Sequence, residues 1–287
     1  MQNNAFYRNI TWNLKGRLYT LEQPRVMGIL NLTPDSFYSG SRLTHEKEVL
    51  QRAAQMIADG ADLLDVGGYS TRPGAAAVSE EEERQRVLPA IRLLHDQFPD
   101  IPLSIDTFRS SVARRAVDAG ASLINDVSGS ELDPKMMETV ASLRVPYILM
   151  HMRGTPETMT SLAVYQDLIK EMMDYFHAKV HRLREQGVRD IILDPGFGFA
   201  KTVDHNFEVL RELRNFHTFG LPVLAGLSRK SMIWRTLELE PEEALNGTTA
   251  LNMAALLQGA SILRVHDVKE ARECVRLYLK LYPNHSA

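Results

Sequence analysis

The sequence predicts an α/β fold, a single (β/α)8 barrel with an N-terminal β-hairpin closing one end. Three observations lead there. Short apolar runs alternate with longer amphipathic segments from residue 26 onward, eight such units can be counted, and polar side chains recur where the runs end. Alternation at this spacing is what βαβ units around a parallel sheet produce. A doubly wound open sheet gives the same alternation, so the barrel rests on the count of eight and on where the polar residues fall.

The first element is the hairpin, expected over residues 5–24, where polar and apolar residues roughly alternate about Asn13, Lys15 and Gly16. The barrel is expected over about 25–284, inside one domain spanning 1–287. Its strands are the short apolar runs at 26–30, 63–66, 103–105, 122–124, 146–150, 191–193, 222–225 and 261–265. Between them, 47–59, 80–97, 110–119, 168–186 and 244–258 carry apolar residues at i, i+3 and i+4 and read as outer helices. Ser79 followed by Glu82 reads as a capping box opening the second of these.

Composition narrows the function. At 287 residues the chain is long for one domain, but barrels of about 250 residues are a standing exception. A 44% hydrophobic content with 24% charge is enough to bury a sizeable core, which excludes disorder. The net charge is −3 with no run of Lys or Arg, so neither nucleic acid nor an anionic membrane is expected as a partner, and a small molecule is. Cys274 is the single cysteine; it excludes an intrachain disulfide and a thiolate metal site, and reads as a packed helix residue. The first ten residues lack an apolar signal region and no stretch approaches the roughly 18 apolar residues of a membrane span, so a cytoplasmic location is expected.

Barrel active sites form at the C-terminal ends of the strands. Asn31, Asp65, Asp106, Asn125, His151, Asp194, Ser228 with Arg229 and Lys230, and Arg264 with His266 all fall at such ends. A lone Asp after a strand is more often a cap or a turn former. Together they make a mouth with carboxylates and carboxamides for a polar heterocycle and basic groups for an anionic tail. Residues 33–40 and 70–74, rich in hydroxyls and turn formers, are expected as functional loops over that mouth. The run from Asp194 to Phe199 is glycine-rich but lacks both the P-loop and the dinucleotide spacing. No Cys or His cluster has structural-zinc spacing, and His95, His177 and His181 are expected as solvated groups on helices.

These motifs resemble the dihydropteroate synthase family, a set of pterin-binding TIM barrels. Met27-Gly28-Ile29-Leu30-Asn31-Leu32-Thr33-Pro34-Asp35-Ser36-Phe37 is similar to its first signature, and Asp65-Val66-Gly67-Gly68 with Ser70-Thr71-Arg72-Pro73-Gly74 to its second. Further matches run in order through Ser104-Ile105-Asp106-Thr107, Ile124-Asn125-Asp126, Leu149-Met150-His151-Met152, the stretch 193–199, Ser228-Arg229-Lys230-Ser231 and Arg264-Val265-His266-Asp267. The resemblance spans roughly residues 25–275.

The resemblance implies a transferase of folate biosynthesis that joins 6-hydroxymethyl-7,8-dihydropterin diphosphate to 4-aminobenzoate. By the same resemblance, Asp106, Asn125, Met150, Asp194 and Lys230 hold the pterin, and Asn31, Thr71, Arg264 and His266 grip the diphosphate. Asn31 is also the implied protein ligand to Mg2+, the implied cofactor. The aminobenzoate is implied to lie among Arg72, Pro73, Phe199, Lys230 and Ser231. Asp106, Asp35, Lys230, Arg264 and His266 are the implied catalytic set, with diphosphate departing before the amine attacks. A homodimer is implied, placed through the last helices at Ala254, Ala255, Leu256 and Leu257.

Three positions depart from the commoner pattern: Tyr69 where Glu is frequent, Ser39 where Asp is frequent, and Ala200 where Gly is usual. Two other readings are a methyltransferase barrel that takes a methyl group from methyltetrahydrofolate and a noncatalytic pterin-binding barrel. The first has no use for a diphosphate grip. The second draws on Tyr69 and Ser39.

Overall fold

The structure, a computed structural model, describes residues 10–32, 42–69, 78–155 and 158–283. Strands β1 (Ile10–Leu14) and β2 (Arg17–Leu21) pair antiparallel through a two-residue turn. Both turn residues have positive φ, Lys15 at 53° and Gly16 at 91°, the mirror-image geometry that matches strand twist. Asn13 Oδ1 accepts from the Gly16 N–H at 2.6 Å and locks the turn.

The barrel strands are β3 (Arg25–Asn31), β4 (Leu63–Gly67), β5 (Leu103–Asp106), β6 (Leu123–Asp126), β7 (Tyr147–Met150), β8 (Ile191–Asp194), β9 (Leu224–Ala225) and β10 (Ile262–Val265). They are parallel in the order β8-β7-β6-β5-β4-β3-β10-β9, and a parallel bridge between Leu193 and Val223 joins the two end strands into a ring. The open-sheet alternative is thereby removed.

Helices α1 (Arg42–Ala58), α2 (Glu80–Gln97), α3 (Ser110–Ala119), α4 (Met136–Leu143), α5 (Leu168–Glu185), α6 (Val203–Arg211), α7 (Ser231–Leu237), α8 (Leu245–Leu257) and α9 (Val268–Leu281) lie between and after the strands. The expected helices at 80–97 and 110–119 have the observed bounds. Helix α1 starts five residues earlier than expected, at Arg42. Helix α2 opens as a partial version of the predicted box. Ser79 Oγ accepts from the Glu82 N–H at 3.2 Å, but the Glu82 carboxylate pairs with Arg86 one turn on.

The strands run further than their apolar runs. The strand expected at 122–124 is Leu123–Asp126, because Asn125 and Asp126 continue the ladder beyond the last apolar residue. The one expected at 222–225 shrinks to Leu224–Ala225, since Pro222 has no N–H to donate and only its carbonyl serves, accepting from Leu193.

Side-chain alternation sorts these short strands into two faces. Leu30, Leu64, Ile105, Ile124, Leu149, Leu193, Ala225 and Leu263 face outward into the layer shared with the helices. Met27, Leu63, Leu123, Ile148, Ile192, Leu224 and Ile262 face inward, one layer at the N-terminal end, and there they pack with Trp12, Leu14 and Leu21 of the hairpin. Trp12 is fully buried and stacks on Tyr19 with ring centroids 5.8 Å apart. The hairpin is the floor of the barrel.

Cys274 is buried in α9, as expected, with its Sγ 3.4 Å from the Thr249 carbonyl. His95, His177 and His181 are exposed on their helices. Among the described residues no helix is long and apolar enough to cross a membrane.

Candidate active site

Above that floor the same alternation turns polar. Counting two residues up from each inward apolar position brings Asp65, Asn125, Asp194 and Arg264 into the barrel, with Asp106 and Asn31 at the upper strand ends. Arg264 lies at the centre of the set. Its Nε donates to Asp65 Oδ2 and its Nη2 to Asp106 Oδ2, both at 2.6 Å. Asp65 Oδ2 also accepts from Asn125 Nδ2 at 2.9 Å. One carboxylate oxygen, with no solvent exposure, therefore fixes both Asn125 and Arg264.

Charge in this well is poised. Burial lifts the Asp106 carboxyl to about 7; Arg264 opposes that rise and Asp65 adds to it. Asp194 is also raised, by burial, against the Gly196 N–H that its Oδ1 accepts at 2.8 Å. For Arg264 burial acts against the cation, but Asp65 and Asp106 outweigh it and hold the guanidinium more firmly charged than usual.

Gly67 keeps the space between Asn31 and Asp106 open: a Cβ there would lie 3.4 Å from Asp106 Cβ and 3.7 Å from Asn31 Oδ1. On the β9–β10 side, Ser228 Oγ accepts from the His266 backbone N–H at 3.1 Å and lies 3.0 Å from His266 Nδ1. The hydroxyl proton is then available to Nδ1, which leaves Nε2 as the donor. Lys230 Nζ stands 4.4 Å above the Phe199 ring, and Ser231 opens α7 beside it. Met150 shares an apolar cluster with Val127, Met152, Met159 and Ala200, against which Phe199 packs. The mouth thus carries a polar well with one apolar wall.

Two strand-end residues expected at the mouth turn away. His151 follows the inward Met150 and so faces outward, packing edge-on against Tyr175 at 4.9 Å; burial drops its imidazole to about 2. Arg229 takes a left-handed φ of 55° and pairs with Asp267 through two bonds of 2.9 Å, with a further bond to the Glu242 carbonyl. It braces the loop, leaving Lys230 to the site. Asp35, Thr71, Arg72, Pro73 and Ser39 lie outside the described residues.

Of the three departures, Tyr69 packs edge-on against Phe108 at 5.2 Å, under the Arg109 guanidinium. Arg109 in turn pairs with the buried Glu83. Ala200 has φ 47°, a left-handed conformation that explains why Gly is usual there.

Sequence reasoning passed over Lys201. Its Nζ lies 3.1 Å from His151 Nδ1 and from the carbonyls of Gly196 and Phe199. Nothing in the sequence marks it, because its partners are backbone oxygens and an outward histidine. The bridging role of Asp65 was within reach, since it sits two residues above the inward Leu63.

Among the described residues no group of three or more His, Cys, Asp or Glu is arranged to hold a metal. A magnesium ion needs no such group, because it keeps waters and substrate phosphates around one or two protein oxygens. The Asn31 carboxamide oxygen at the rim is of that kind.

Comparison with known proteins agrees with this geometry. The family model described as "Pterin binding enzyme" matches residues 27–266. The dihydropteroate synthase of Escherichia coli K12 is 44% identical over 265 residues, 92% of this chain and 93% of that one. The Xanthomonas albilineans dihydropteroate synthase with 4-aminobenzoic acid superposes with TM-score 0.89 at 40% identity, covering 96% of this chain and 98% of that one. The same enzyme in complex with 7,8-dihydropteroate gives TM-score 0.85 at 38% identity over 95% and 98% of the two chains. On sequence, fold and the arrangement of its barrel mouth, the chain belongs to the dihydropteroate synthase family of pterin-binding enzymes.

Proposed function

We propose that this chain condenses 6-hydroxymethyl-7,8-dihydropterin diphosphate with 4-aminobenzoate, giving 7,8-dihydropteroate and diphosphate in folate biosynthesis. The observation that carries the reading is the inward set of Asp106, Asn125, Asp194 and Arg264, sealed below by the hairpin and flanked by Lys230. It offers carboxylates and a carboxamide to a heterocycle rich in N–H groups, and cations to its anionic tail.

In this reading Asp106 and Asp194 accept the adjacent ring and 2-amino N–H donors, Asn125 and Lys230 meet the remaining ring atoms, and Met150 packs beside the ring. The C–O bond to the diphosphate breaks first, because the electron-rich pterin delocalises the positive charge left on its exocyclic methylene. Arg264 and His266, with Asn31 and Thr71, take the diphosphate, and the cations offset the charge growing on it. Asp106 and Asp35 face the cationic pterin. The amine nitrogen then forms the C–N bond and releases a proton. An aromatic amine held against a carbocation needs no strong base, so proximity supplies the rest. Phe199, Pro73, Arg72 and Ser231 position the aminobenzoate. Asn31 would hold a Mg2+ ion, whose bound charge would further neutralise the departing diphosphate.

The domain is taken as a single barrel over 1–287, working in the cytoplasm as a homodimer. Within the stretch 254–257, Ala255 and Leu256 are buried in the core and Leu257 is exposed, as are the large apolar side chains of Leu277 and Leu281 on α9. The dimer is assigned to those.

The test is incubation with the pterin diphosphate, radiolabelled 4-aminobenzoate and Mg2+, comparing the unaltered chain, Lys230→Ala and an EDTA control. Labelled dihydropteroate from the unaltered chain, lost with EDTA and reduced at least about a hundredfold in the variant, is expected for a group that contacts both substrates. A folded protein that binds the pterin diphosphate and makes no product refutes the synthase reading.

A further inference from the structure

The stretch after β8 has an unusual backbone. Gly196, Gly198 and Ala200 alternate in left-handed conformations, at φ 71°, 80° and 47°. Such a path cannot form a ladder or a helix, so its polar groups must find other partners. Gly196 is pressed against the end of β7, where a Cβ would meet the His151 carbonyl oxygen at 2.2 Å. Asn206 Oδ1 accepts from the Gly198 N–H at 2.7 Å, and the Ala200 carbonyl accepts from Tyr165 Oη at 2.9 Å. The Gly196 carbonyl accepts from the Phe199 N–H at 3.1 Å, and Lys201 Nζ lies 3.1 Å from both the Gly196 and the Phe199 carbonyls.

The ammonium has three protons to give. His151 Nδ1 also lies 3.1 Å from Nζ, on a ring whose protonation is disfavoured by burial and by the neighbouring Lys201. Lys201 therefore ties both ends of the 196–199 segment to the outer face of β7. The segment presents the half-buried Phe199 ring, which sits under Lys230 and packs on the Met150 cluster. A Cβ at Gly198 would come within 3.1 Å of Lys230 Cδ, so the backbone path also sets where Lys230 can lie.

Taking the synthase reading as its premise, we infer that Lys201 is a positioning residue that sets the amine-side wall of the site by fixing the Gly196 and Phe199 carbonyls. It does not touch either substrate. Burial draws its ammonium down to about 7, with Asp194 acting against that fall and Lys230 and Arg153 adding to it. The geometry, with Nζ 3.1 Å from each of the two carbonyls, is what carries the inference.

The experiment compares the full chain with Lys201→Met and with Tyr165→Phe, which removes the parallel hold on the Ala200 carbonyl. Steady-state KM is measured for 4-aminobenzoate, and Kd for the pterin diphosphate by titration calorimetry with Mg2+. The expected result for Lys201→Met is a KM for 4-aminobenzoate raised about tenfold with pterin diphosphate Kd within about twofold, and Tyr165→Phe shifts the same constant less. If Lys201→Met does not fold, Tyr165→Phe alone must show the selective rise. Thermal destabilisation with an unchanged KM overturns the inference, as does an equal loss for both substrates. No product from the unaltered chain removes the synthase reading and this inference together. Product from it, without the selective shift, removes only the inference.

Discussion

Asp65→Asn removes one charge from the barrel well and keeps the side chain's shape. The native Oδ2 accepts at 2.6 Å from Arg264 and at 2.9 Å from Asn125, and the side chain is fully buried. Stripping a buried ion pair of one partner costs about 3–5 kcal/mol, and here Arg264 keeps Asp106, so the low end of about 3 kcal/mol is expected in urea unfolding. The sharper consequence falls on Asp106. Its carboxyl sits at about 7 through burial, with Asp65 pushing it up and Arg264 pulling it down. The variant loses the push and leaves Arg264 to Asp106 alone. Two like charges about 5 Å apart at an effective dielectric constant of about 20 repel by roughly 3 kcal/mol, or about 2 pH units, and screening at the open mouth leaves a fall of about 1.

The assay is kcat/KM for the pterin diphosphate from pH 5 to 8.5, which reports ionisations of free enzyme and free substrate. Ionised Asp106 is the form that accepts the pterin N–H pair, so activity is lost as pH falls through its pKa, and the acid limb of the variant lies at lower pH. Substrate ionisation is common to both proteins and cancels in the comparison. An acid limb that stays put or moves upward in a folded Asp65→Asn would falsify the coupling of these two carboxylates through Arg264.

Trp12→Ala empties the floor of the barrel without touching the mouth; a loss of about 3–5 kcal/mol in unfolding free energy is expected, with the KM of both substrates unchanged in the folded protein. A large KM change at full folding would mean the floor shapes the site directly. Ala200→Gly relieves a left-handed alanine and is expected to raise stability by about 0.5–1 kcal/mol, read as a higher melting temperature; a fall would mean that its buried methyl contact outweighs the strain. Since Asp106 holds its proton up to about 7 when folded and sheds it near 4 when unfolded, the folded state binds more protons between those values. Its contribution to stability therefore declines as pH rises from about 4 to 7, and the decline in urea midpoint across that range should be smaller in Asp106→Asn, the buried Asp194 supplying what remains; an equal decline in both proteins refutes it.

Much of this architecture was legible because barrel strands are so short. Four or five apolar residues between amphipathic helices leave little room for another fold, and the polar residue that ends each run points into the mouth whenever it shares parity with an inward apolar one. That rule places Asn125, Asp194 and Arg264 and also explains why His151 and Arg229 do not face the mouth; Asp106 shares parity with the polar Ser104, so no apolar residue marks its face. His151 has the wrong parity after Met150, and Arg229 lies on a loop where strand alternation no longer applies. A hydrophobic pattern stops at the first polar residue, whereas the ladder runs on through Asn125 and Asp126. Helices α4 and α7, at eight and seven residues, are too brief for a 3.6-residue period to declare itself. Lys201 was invisible for a different reason: its partners are carbonyls, which every residue possesses.

The hairpin floor also gives the barrel a depth. With Trp12, Leu14 and Leu21 packed on the inward layer at the N-terminal end, the described part of the barrel is closed at its base. A ligand lying against Asp65 and Asn125 is deeper in that well than one standing beside Phe199. Depth in the well is then set by a pair of strands that contribute no polar group to the site.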